Sequence, residues 1–279
     1  MSRAVFVLST GRCTTQALAR AVADLVPGAV VEHEGLKARY MPRRVYRKPQ
    51  ALARALERSG EIEAKFREIE DLIANGRRYV DTGWPVYAWI PYLRSRLGDA
   101  MGFVHLVRNP FDFAASMLTH RFYVTSNGRY KKQGVIFGTD KKLIHSALAA
   151  GWEGFSAYEK CLFHWLELNA FGMECHDLPG FRGLYRFEDL HAGDGVALRA
   201  LLSELSGAVP DAACLPVEDK VHVPLREPIV VSHSLLFDAV IAQAEALGYD
   251  GARLRAGYDP KALAQRYGAA RWADRRRRN

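Results

Sequence analysis

The chain has 279 residues, enough for one large α/β domain or two small ones. Hydrophobic residues make up 49% and charged residues 25%, an ordinary globular composition that excludes a disordered, collagen-like or coiled-coil chain. Most of the net charge of +8 lies at the carboxyl end: residues 261–279 carry +6 and residues 1–260 only +2. We therefore predict one domain over residues 1–260, a basic helix or tail over 261–279, and no specific nucleic-acid partner.

The cysteines and the apolar runs indicate the compartment. Cys13, Cys161, Cys175 and Cys214 are widely separated and form no Cys-x-x-Cys pair, which argues against a disulfide framework and a structural metal site. The first apolar run, Ala4–Leu8, is too short for a secretory signal, and no stretch approaches the roughly 18 apolar residues of a membrane span. The sequence therefore predicts a cytoplasmic protein without a membrane span.

Strand and helix patterns alternate along the chain. Ala4–Leu8 has the pattern of a buried parallel strand, and Thr14–Val26 has an apolar helical face. The other predicted strands are Ala29–Val31, Tyr79–Val80, Gly102–Val107 and Gly183–Phe187. The other predicted helices are Ala51–Ala74, Pro85–Leu97, one starting at Pro110, Gly151–Phe171 and Val196–Leu205, with a long loop over residues 125–150. This alternation predicts an α/β fold with a doubly wound, mainly parallel sheet, in which ligands bind outside the carboxyl ends of the strands.

A short polar loop leads from the first strand into the first helix. Its residues are Ser9, Thr10, Gly11, Arg12, Cys13, Thr14, Thr15 and Gln16. Backbone N–H groups and the positive end of the helix dipole favour an anion at such a turn. Arg12 adds a guanidinium suited to phosphate or sulfonate, and the Thr14 and Thr15 hydroxyls can donate to its oxygens. The spacing of an ordinary Mg·ATP P-loop is missing.

A second anion-binding pair follows the strand Gly102–Val107. Arg108 stands at the carboxyl end of this strand, and Ser116 lies about two turns into the next helix. Pro110 suits a first helical turn, and Asp112 favours the helix start electrostatically. We expect Arg108 and Ser116 to converge on a second phosphate beside the first loop.

Together these segments resemble the sulfotransferases that use 3′-phosphoadenosine 5′-phosphosulfate (PAPS). Ser9–Gln16 resembles the family's 5′-phosphosulfate loop, Val107–Ser116 resembles its 3′-phosphate motif, and Tyr185–Leu190 is similar to its late Glu-Asp-Leu strand end. The segments occur in the family's order. The resemblance implies a P-loop-like fold of the sulfotransferase type, PAPS as co-substrate, 3′-phosphoadenosine 5′-phosphate (PAP) as product, and no required metal.

The resemblance also implies roles for single residues. Arg12 matches the loop Lys/Arg that contacts the bridging and sulfonate oxygens, and Thr15 matches a Thr that binds the 5′-phosphate. Arg108 and Ser116 match the pair that holds the 3′-phosphate. The full set of implied nucleotide-binding residues is Gly11, Arg12, Cys13, Thr14, Thr15, Gln16, Arg108 and Ser116. Thr14 stands where many members have Gly, so we expect ordinary dihedral angles at this position.

Sulfuryl transfer also needs a group that takes the proton of the acceptor hydroxyl. Cytosolic members of the family place a His in a Lys-Thr-His segment, but Gly83 occupies that position in this sequence. Other members use a Glu, and Glu32, His33 and Glu34 follow the second predicted strand. We favour Glu34 as the base, with Glu32, His33 and Asp81 as alternatives. If the strand continues, alternation predicts Glu32 and Glu34 on one side and His33 on the other.

The sequence favours a small hydroxylated acceptor, such as a carbohydrate or another metabolite. Residues 36–55 contain seven basic residues and no acidic one, which fits either a lid over a polar or anionic acceptor or a solvated loop. The aromatic residues after the third strand can stack on an acceptor or pack in the core; they are Trp84, Tyr87, Trp89 and Tyr92. Weaker candidates for ligand contacts are Arg129, Lys131, Lys132, Lys141, Lys142, His222 and Arg226.

Three alternative functions follow from the same residues. A nucleotide kinase-like phosphotransferase would share the fold, but the missing Lys-Ser/Thr pair argues against it. The arginines at 275–278 can bind nucleic-acid phosphates without sequence preference, although a solvated chain end explains them as well. The missing His at position 83 leaves room for a non-catalytic protein that binds PAPS, PAP or a sulfated ligand.

Overall fold

The computed structural model describes residues 3–124, 131–210, 225 and 227–268, with the backbone alone at residues 131 and 132. Within them, five strands form one sheet in the order β2-β3-β1-β4-β5, and each neighbouring pair is parallel. The strands are β1 (Ala4–Ser9), β2 (Val30–Glu32), β3 (Tyr79–Asp81), β4 (Met101–Val107) and β5 (Phe181–Arg186). In the centre, Ala4 of β1 lies opposite Tyr79 of β3 and Met101 of β4. The predicted parallel α/β fold is confirmed.

Helices connect the strands and cover both faces of the sheet. The α-helices of the first half are α1 (Thr15–Leu25), α2 (Pro42–Val45), α3 (Pro49–Arg58), α4 (Gly60–Ala74), α5 (Ile90–Leu97) and α6 (Pro110–Leu118). Those of the second half are α7 (Lys131–Gly134), α8 (Ser146–Ala149), α9 (Ala157–Glu174), α10 (Phe187–Leu190), α11 (Val196–Ser206), α12 (Ser234–Ala246), α13 (Gly251–Gly257) and α14 (Pro260–Tyr267). Short 3₁₀ turns lie at Ala38–Tyr40, Trp84–Trp89, Gly98–Ala100, Trp152–Gly154 and Cys175–Asp177.

Several predicted bounds are wrong for local reasons. The predicted helix 51–74 is divided into α3 and α4, because Ser59 leaves the helical conformation and caps α4 by accepting a hydrogen bond from the Ile62 N–H. The predicted helices 85–97 and 151–171 each begin with a 3₁₀ turn. The predicted loop 125–150 contains α7 and α8, and its residues 125–130 lie outside the described residues.

Apolar side chains of β1 alternate between the two faces of the sheet. Val5 and Val7 pack in one core cluster with Leu18 and Val22 of α1. Phe6 belongs to a second, larger cluster that includes residues of α6 and α9. Because helices cover both faces, the ends of the strands are the place where a ligand can approach the sheet.

Three helices beyond residue 233 complete this arrangement. Helix α12 packs against α9, and α14 packs against α6. Helix α14 crosses the boundary proposed at residue 260, and its Leu263 and Tyr267 are buried in the larger core cluster. The arginines at 275–278 lie outside the described residues. Of the helices described, none has the length and apolar character needed to cross a membrane.

Candidate functional site

The carboxyl ends of β1, β2 and β3 open into a cavity of about 230 Å³. The loop after β1 contributes Gly11 and Arg12, the first residue of α1 is Thr15, and the loop after β2 contributes His33 and Glu34. The remaining lining residues are Thr10, Ala38, Trp84, Met117, His120, Phe122, Val135 and His164. Five residues that the sequence predicts for the site therefore meet at one cavity.

The loop after β1 turns through left-handed backbone. The φ angle is 82° at Gly11, 60° at Arg12 and 61° at Thr14. The expectation of ordinary dihedral angles at Thr14 is therefore wrong. Thr14 directly precedes α1, and its carbonyl oxygen accepts hydrogen bonds from the N–H groups of Ala17 and Leu18. A left-handed Thr is strained, and such strain is found where the surrounding structure holds a functional turn in place.

The side chain of Cys13 turns away from the cavity. It is fully buried in the core, and its Sγ lies 3.0 Å from the carbonyl oxygen of Gly11. Burial raises the pKa of the thiol to about 12. Neither Cys13 nor Thr14 or Gln16 lines the cavity. The thiol of Cys13, which the resemblance places among the nucleotide ligands, is thus a core group.

Two arginines and one serine meet beside the start of α1. The Arg12 Nε donates to the Ser116 Oγ at 3.0 Å, and the Arg108 Nη1 donates to the Arg12 carbonyl oxygen at 2.7 Å. Arg108 is only 6% exposed, and its guanidinium lies over the ring of Phe187. The structure thus brings Arg108 and Ser116 together as expected, but through Arg12, which lies between them.

The carboxyl-terminal helix α14 adds a residue that the sequence analysis did not identify. The Arg108 Nη2 donates to the Tyr267 hydroxyl at 3.0 Å, and this hydroxyl lies 3.1 Å from the Asp112 Oδ1, to which it donates. Arg266 forms an ion pair with the same carboxylate. Tyr267 lies 159 residues from Arg108 along the chain, so no local pattern could have revealed it.

The third resembling segment joins two strand ends. β5 ends at Arg186, and α10 follows at once. The Glu188 Oε1 accepts a hydrogen bond from the Asn109 N–H at 2.8 Å, and the Glu188 Oε2 accepts one from the Tyr249 hydroxyl at 2.8 Å. Since Asn109 follows Arg108 directly, Glu188 helps to fix the backbone at the end of β4.

Glu34 and His33 both lie at the cavity. Glu34 has a φ of 63°, which turns the chain sharply after β2. Burial raises the pKa of its carboxyl above the usual value of 4.5, although a hydrogen bond with Trp84 opposes this shift. The His33 Nε2 lies 3.1 Å from the Thr15 Oγ1. The alternation expected for a continued strand does not apply to His33 and Glu34, because β2 ends at Glu32.

Glu32 does not line the cavity and contacts other side chains. Its Oε2 is 2.5 Å from the Lys65 Nζ and accepts a hydrogen bond from the Tyr79 hydroxyl at 2.6 Å. Lys65 is only 8% exposed, so Glu32 neutralises a largely buried cation. Of the two glutamates considered as the base, the geometry therefore supports Glu34.

Asp81 ties two loops together. Its carboxylate is fully buried, and it accepts hydrogen bonds from the N–H groups of Leu36 at 2.9 Å and Gly83 at 2.8 Å. Burial raises the pKa of this carboxyl to about 6, against the lowering effect of the backbone N–H groups. Asp81 does not line the cavity, so it fits a positioning role better than that of the base.

Gly83 lets the loop after β2 approach the end of β3. A Cβ at position 83 would lie 2.3 Å from the Glu34 Cα and 2.4 Å from the Glu34 backbone nitrogen. Any side chain at position 83 would therefore displace Glu34. The Gly that stands where the resembled family has its His is thus the residue that allows Glu34 to reach the cavity.

Three of the seven basic residues of segment 36–55 pair with acidic residues from other elements. Arg39 pairs with Glu61, Arg43 with Asp140 and Arg47 with Glu174. The segment folds as a 3₁₀ turn, α2 and the start of α3, and contributes only Ala38 to the cavity lining. The described residues therefore give no support to the interpretation of this segment as a lid over a polar or anionic acceptor.

Of the four aromatic residues after β3, one lines the cavity and three pack elsewhere. Trp84 lines the cavity, whereas Tyr87 and Trp89 are fully buried in the core and Tyr92 packs against Phe66. Position 129 and the positions 222 and 226 lie outside the described residues. The described part of the chain holds no group of three His, Cys, Asp or Glu side chains that could bind a metal ion.

Five of the thirteen residues that line the cavity were not predicted from the sequence. Met117 and His120 lie at the end of α6, Phe122 and Val135 flank the next segment, and His164 lies in the middle of α9. None of these residues belongs to a motif, and α9 is buried nearly all round. Only the tertiary structure brings them to the strand ends.

Comparisons with known proteins add the fold type. No protein-family model and no curated protein matches the chain. A sulfotransferase from Alicyclobacillus acidocaldarius matches over 91% of this chain and 99% of its own, with a TM-score of 0.50 and 14% identity. A sulfotransferase domain from the curacin biosynthetic pathway matches over 96% of both chains, with a TM-score of 0.41 and 17% identity. The first likeness and the order of the parallel sheet show that this chain has a fold of the sulfotransferase type.

Proposed function

We propose that the chain is a sulfotransferase that moves the sulfuryl group of PAPS to a hydroxyl of a small acceptor. One observation carries this proposal: Arg12, in the anion-binding turn of β1, and the carboxyl of Glu34 line the same cavity. An anion site and a titratable carboxyl facing one small space are what in-line transfer between a donor and a hydroxyl requires.

The reaction forms one bond and breaks one. The acceptor oxygen bonds to sulfur, the bond between sulfur and the bridging oxygen of PAPS breaks, and PAP leaves with the electron pair of that bond. The proton of the acceptor hydroxyl goes to the Glu34 carboxylate, and later to solvent. The raised pKa of Glu34 suits this task, because a stronger base accepts the proton more readily.

Arg12 is the candidate for stabilising the developing charge. Its guanidinium is held by the Ser116 hydroxyl, and its carbonyl oxygen by Arg108. A cation fixed in this way needs little reorganisation when negative charge grows on the bridging oxygen. Thr15, the first residue of α1, and the backbone of Gly11 in the loop before this helix fit the phosphate next to the sulfonate.

Arg108 and Ser116 fit the second phosphate of the nucleotide. Arg108 is buried against Phe187, and Tyr267 and the Arg12 carbonyl orient its guanidinium. Arginine in such a rigid setting favours a phosphate with two acceptor oxygens. These residues fit PAPS better than a nucleotide without a 3′-phosphate.

The test supplies the purified chain with ³⁵S-labelled PAPS, EDTA and a panel of uncharged alcohols, phenols and saccharides. We expect label in an acceptor and release of PAP without Mg²⁺. A rise in the melting temperature with PAP but no transfer to any acceptor would indicate a nucleotide-binding protein instead. Transfer of phosphate from Mg·ATP would indicate the kinase-like alternative.

A further inference from the structure

Apart from the β1 loop, Thr15, His33, Ala38 and His120, the cavity lining is a set of six residues, of which four are apolar or aromatic. We call it the acceptor half, and it consists of Glu34, Trp84, Met117, Phe122, Val135 and His164. Glu34 is the group proposed to take the acceptor's proton. His164 has no part in that chemistry, yet it is a polar residue without exposure to solvent.

The tautomer of His164 follows from its neighbours. The Ile136 N–H donates to the His164 Nδ1 at 3.2 Å, and because a backbone N–H can only donate, Nδ1 carries no proton. Burial lowers the pKa of the imidazole to about 3, so the ring is neutral. The remaining ring proton therefore lies on Nε2.

The Nε2–H of His164 is a buried donor with no hydrogen-bond partner among the described residues. The ring lies nearly parallel to that of Phe113 and edge-on to that of Trp84. His164 lines the cavity and its Nδ1 is bonded to the Ile136 N–H, so Nε2 is the ring nitrogen left for a ligand. A buried donor left unsatisfied is destabilising, and a ligand oxygen at this place would satisfy it.

The charges around the cavity restrict what the ligand is. Among the lining residues that the structure describes, Arg12 is the one Lys or Arg, and the proposed chemistry assigns it to the sulfonate. Glu34 repels a second anion, and Arg43 and Arg47 of the basic segment are turned onto Asp140 and Glu174. Among the described lining residues an anionic acceptor would therefore find no further Lys or Arg, whereas an uncharged one would find Trp84, Met117, Phe122 and Val135.

We propose that the His164 Nε2–H donates a hydrogen bond to a second oxygen of the acceptor, so that the cavity selects small, uncharged alcohols or phenols that carry an ether or carbonyl oxygen. This inference rests on the proposed function for the identity of the ligand as an acceptor. His164 then acts as a specificity-determining residue, because the second oxygen is held while the hydroxyl faces Glu34.

A matched ligand pair tests this role by binding alone. 4-Methoxybenzyl alcohol and 4-ethylbenzyl alcohol have nearly the same shape, but only the first has an ether oxygen. In calorimetry with saturating PAP, we expect wild type to bind the methoxy compound about tenfold more tightly, which corresponds to about 1.4 kcal/mol. His164→Phe should bind both compounds equally, and His164→Gln, which keeps an N–H donor near this place, should retain part of the preference.

The control variant is His105→Leu, which removes another fully buried histidine whose Nε2 is bonded to Asn169 rather than facing the cavity. It should lower the melting temperature and leave the ligand preference unchanged. Equal affinities of wild type for the two alcohols, a preference that survives in His164→Phe, or no binding of either alcohol would overturn the inference. The first result would mean that Nε2–H holds only a water molecule.

The assay with labelled PAPS separates this inference from the proposed function. Discrimination between the two alcohols without any sulfuryl transfer would leave His164 as a ligand-selecting residue and remove the enzymatic activity. Transfer to both alcohols with equal kcat/KM in wild type would leave the sulfotransferase activity and remove the role of His164.

Discussion

The cavity has two halves that are built in different ways. The donor half is the cavity residues Gly11, Arg12 and Thr15 together with Arg108 and Ser116, which do not line the cavity but hydrogen-bond to Arg12, and it comes from two strand ends and the helices that follow them. The acceptor half comes from the loop after β2, the turn after β3, the segment around Val135 and the middle of α9. A nucleotide with fixed charges can be held by a local turn, whereas the pocket for a particular acceptor is assembled from distant segments.

Because the two halves are built in different ways, they depend on different contacts and should tolerate different substitutions. The donor half depends on backbone angles and on hydrogen bonds between neighbours, such as the one from Arg12 to Ser116. The acceptor half depends on one close backbone contact, between Gly83 and Glu34, and on side chains packed from other elements. We therefore expect substitutions in one half to leave the other half largely intact.

The largest expected effect is that of Glu34→Gln. Removing the base should lower kcat by about 10²–10⁴-fold, while the affinity for PAP changes little because the donor half is untouched. Steady-state rates with labelled PAPS and calorimetry with PAP measure the two effects. Glu32→Gln is the matched control and should keep most of the activity, since Glu32 contacts Lys65 and Tyr79 outside the cavity. Near-wild-type turnover of Glu34→Gln would remove Glu34 as the base.

Arg108→Ala should act on the other half. Loss of a charged hydrogen-bond donor is expected to weaken PAP binding by about 10–100-fold. The shift of the melting temperature with PAP should shrink accordingly, and the choice between acceptors should not change. An unchanged PAP affinity would contradict the assignment of Arg108 to the nucleotide, and a changed acceptor preference would contradict the separation of the two halves.

The pH dependence of transfer should reveal the titration of Glu34 in the acceptor half. Glu34 accepts a proton only as the carboxylate, and its pKa is raised above 4.5 by burial. The value of kcat/KM should therefore fall about tenfold per pH unit below this raised pKa and become constant above it. PAP affinity measured over the same range should not follow this profile. An acid limb at or below the ordinary pKa of Glu would contradict the role of the buried carboxyl.

Gly83→Ala should disturb the acceptor half through the backbone. The added Cβ would lie 2.3 Å from the Glu34 Cα, so the loop after β2 has to move. We expect a loss of about 1–3 kcal/mol in the free energy of unfolding, together with a fall in kcat that exceeds any change in PAP affinity. Chemical denaturation and the transfer assay measure these quantities. A variant with normal stability and normal kcat would show that the contact is not needed.

The smallest effect is expected for Arg47→Ala. Arg47 pairs with Glu174 at the surface, away from the cavity, and such pairs contribute at most about 1 kcal/mol. Transfer rates with neutral acceptors should be unchanged. A clear loss of activity would contradict this expectation and support the interpretation of segment 36–55 as a lid over the acceptor.

The sequence was sufficient for the features that depend on local order. Strand, turn and helix follow one another around Gly11 and around Arg108, so the parallel sheet and the position of the donor half could be predicted. The left-handed angle at Thr14 could not, because propensity alone argues against it and only the packed loop imposes it.

The acceptor half was beyond sequence reasoning for a different reason. Alternation along β2 failed at Glu34 because the strand ends two residues earlier and the chain turns with a positive φ. His164 lies on a helix that is buried nearly all round, where a histidine has the same pattern as any core residue. Its distinction is a donor, unpartnered among the described residues, on a residue that lines the cavity, and this depends on Ile136, which lies 28 residues away.

The contact of Tyr267 with Arg108 has a thermodynamic consequence. The same guanidinium that fits the nucleotide also holds α14, because the Tyr267 hydroxyl bridges Arg108 and Asp112. An anion that binds Arg108 more strongly when this helix is docked must, by linkage, stabilise the docked helix by the same factor. One coupling free energy links anion binding at Arg108 to the docking of α14. It can be measured either from the ligand affinity or from the stability of the docked α14.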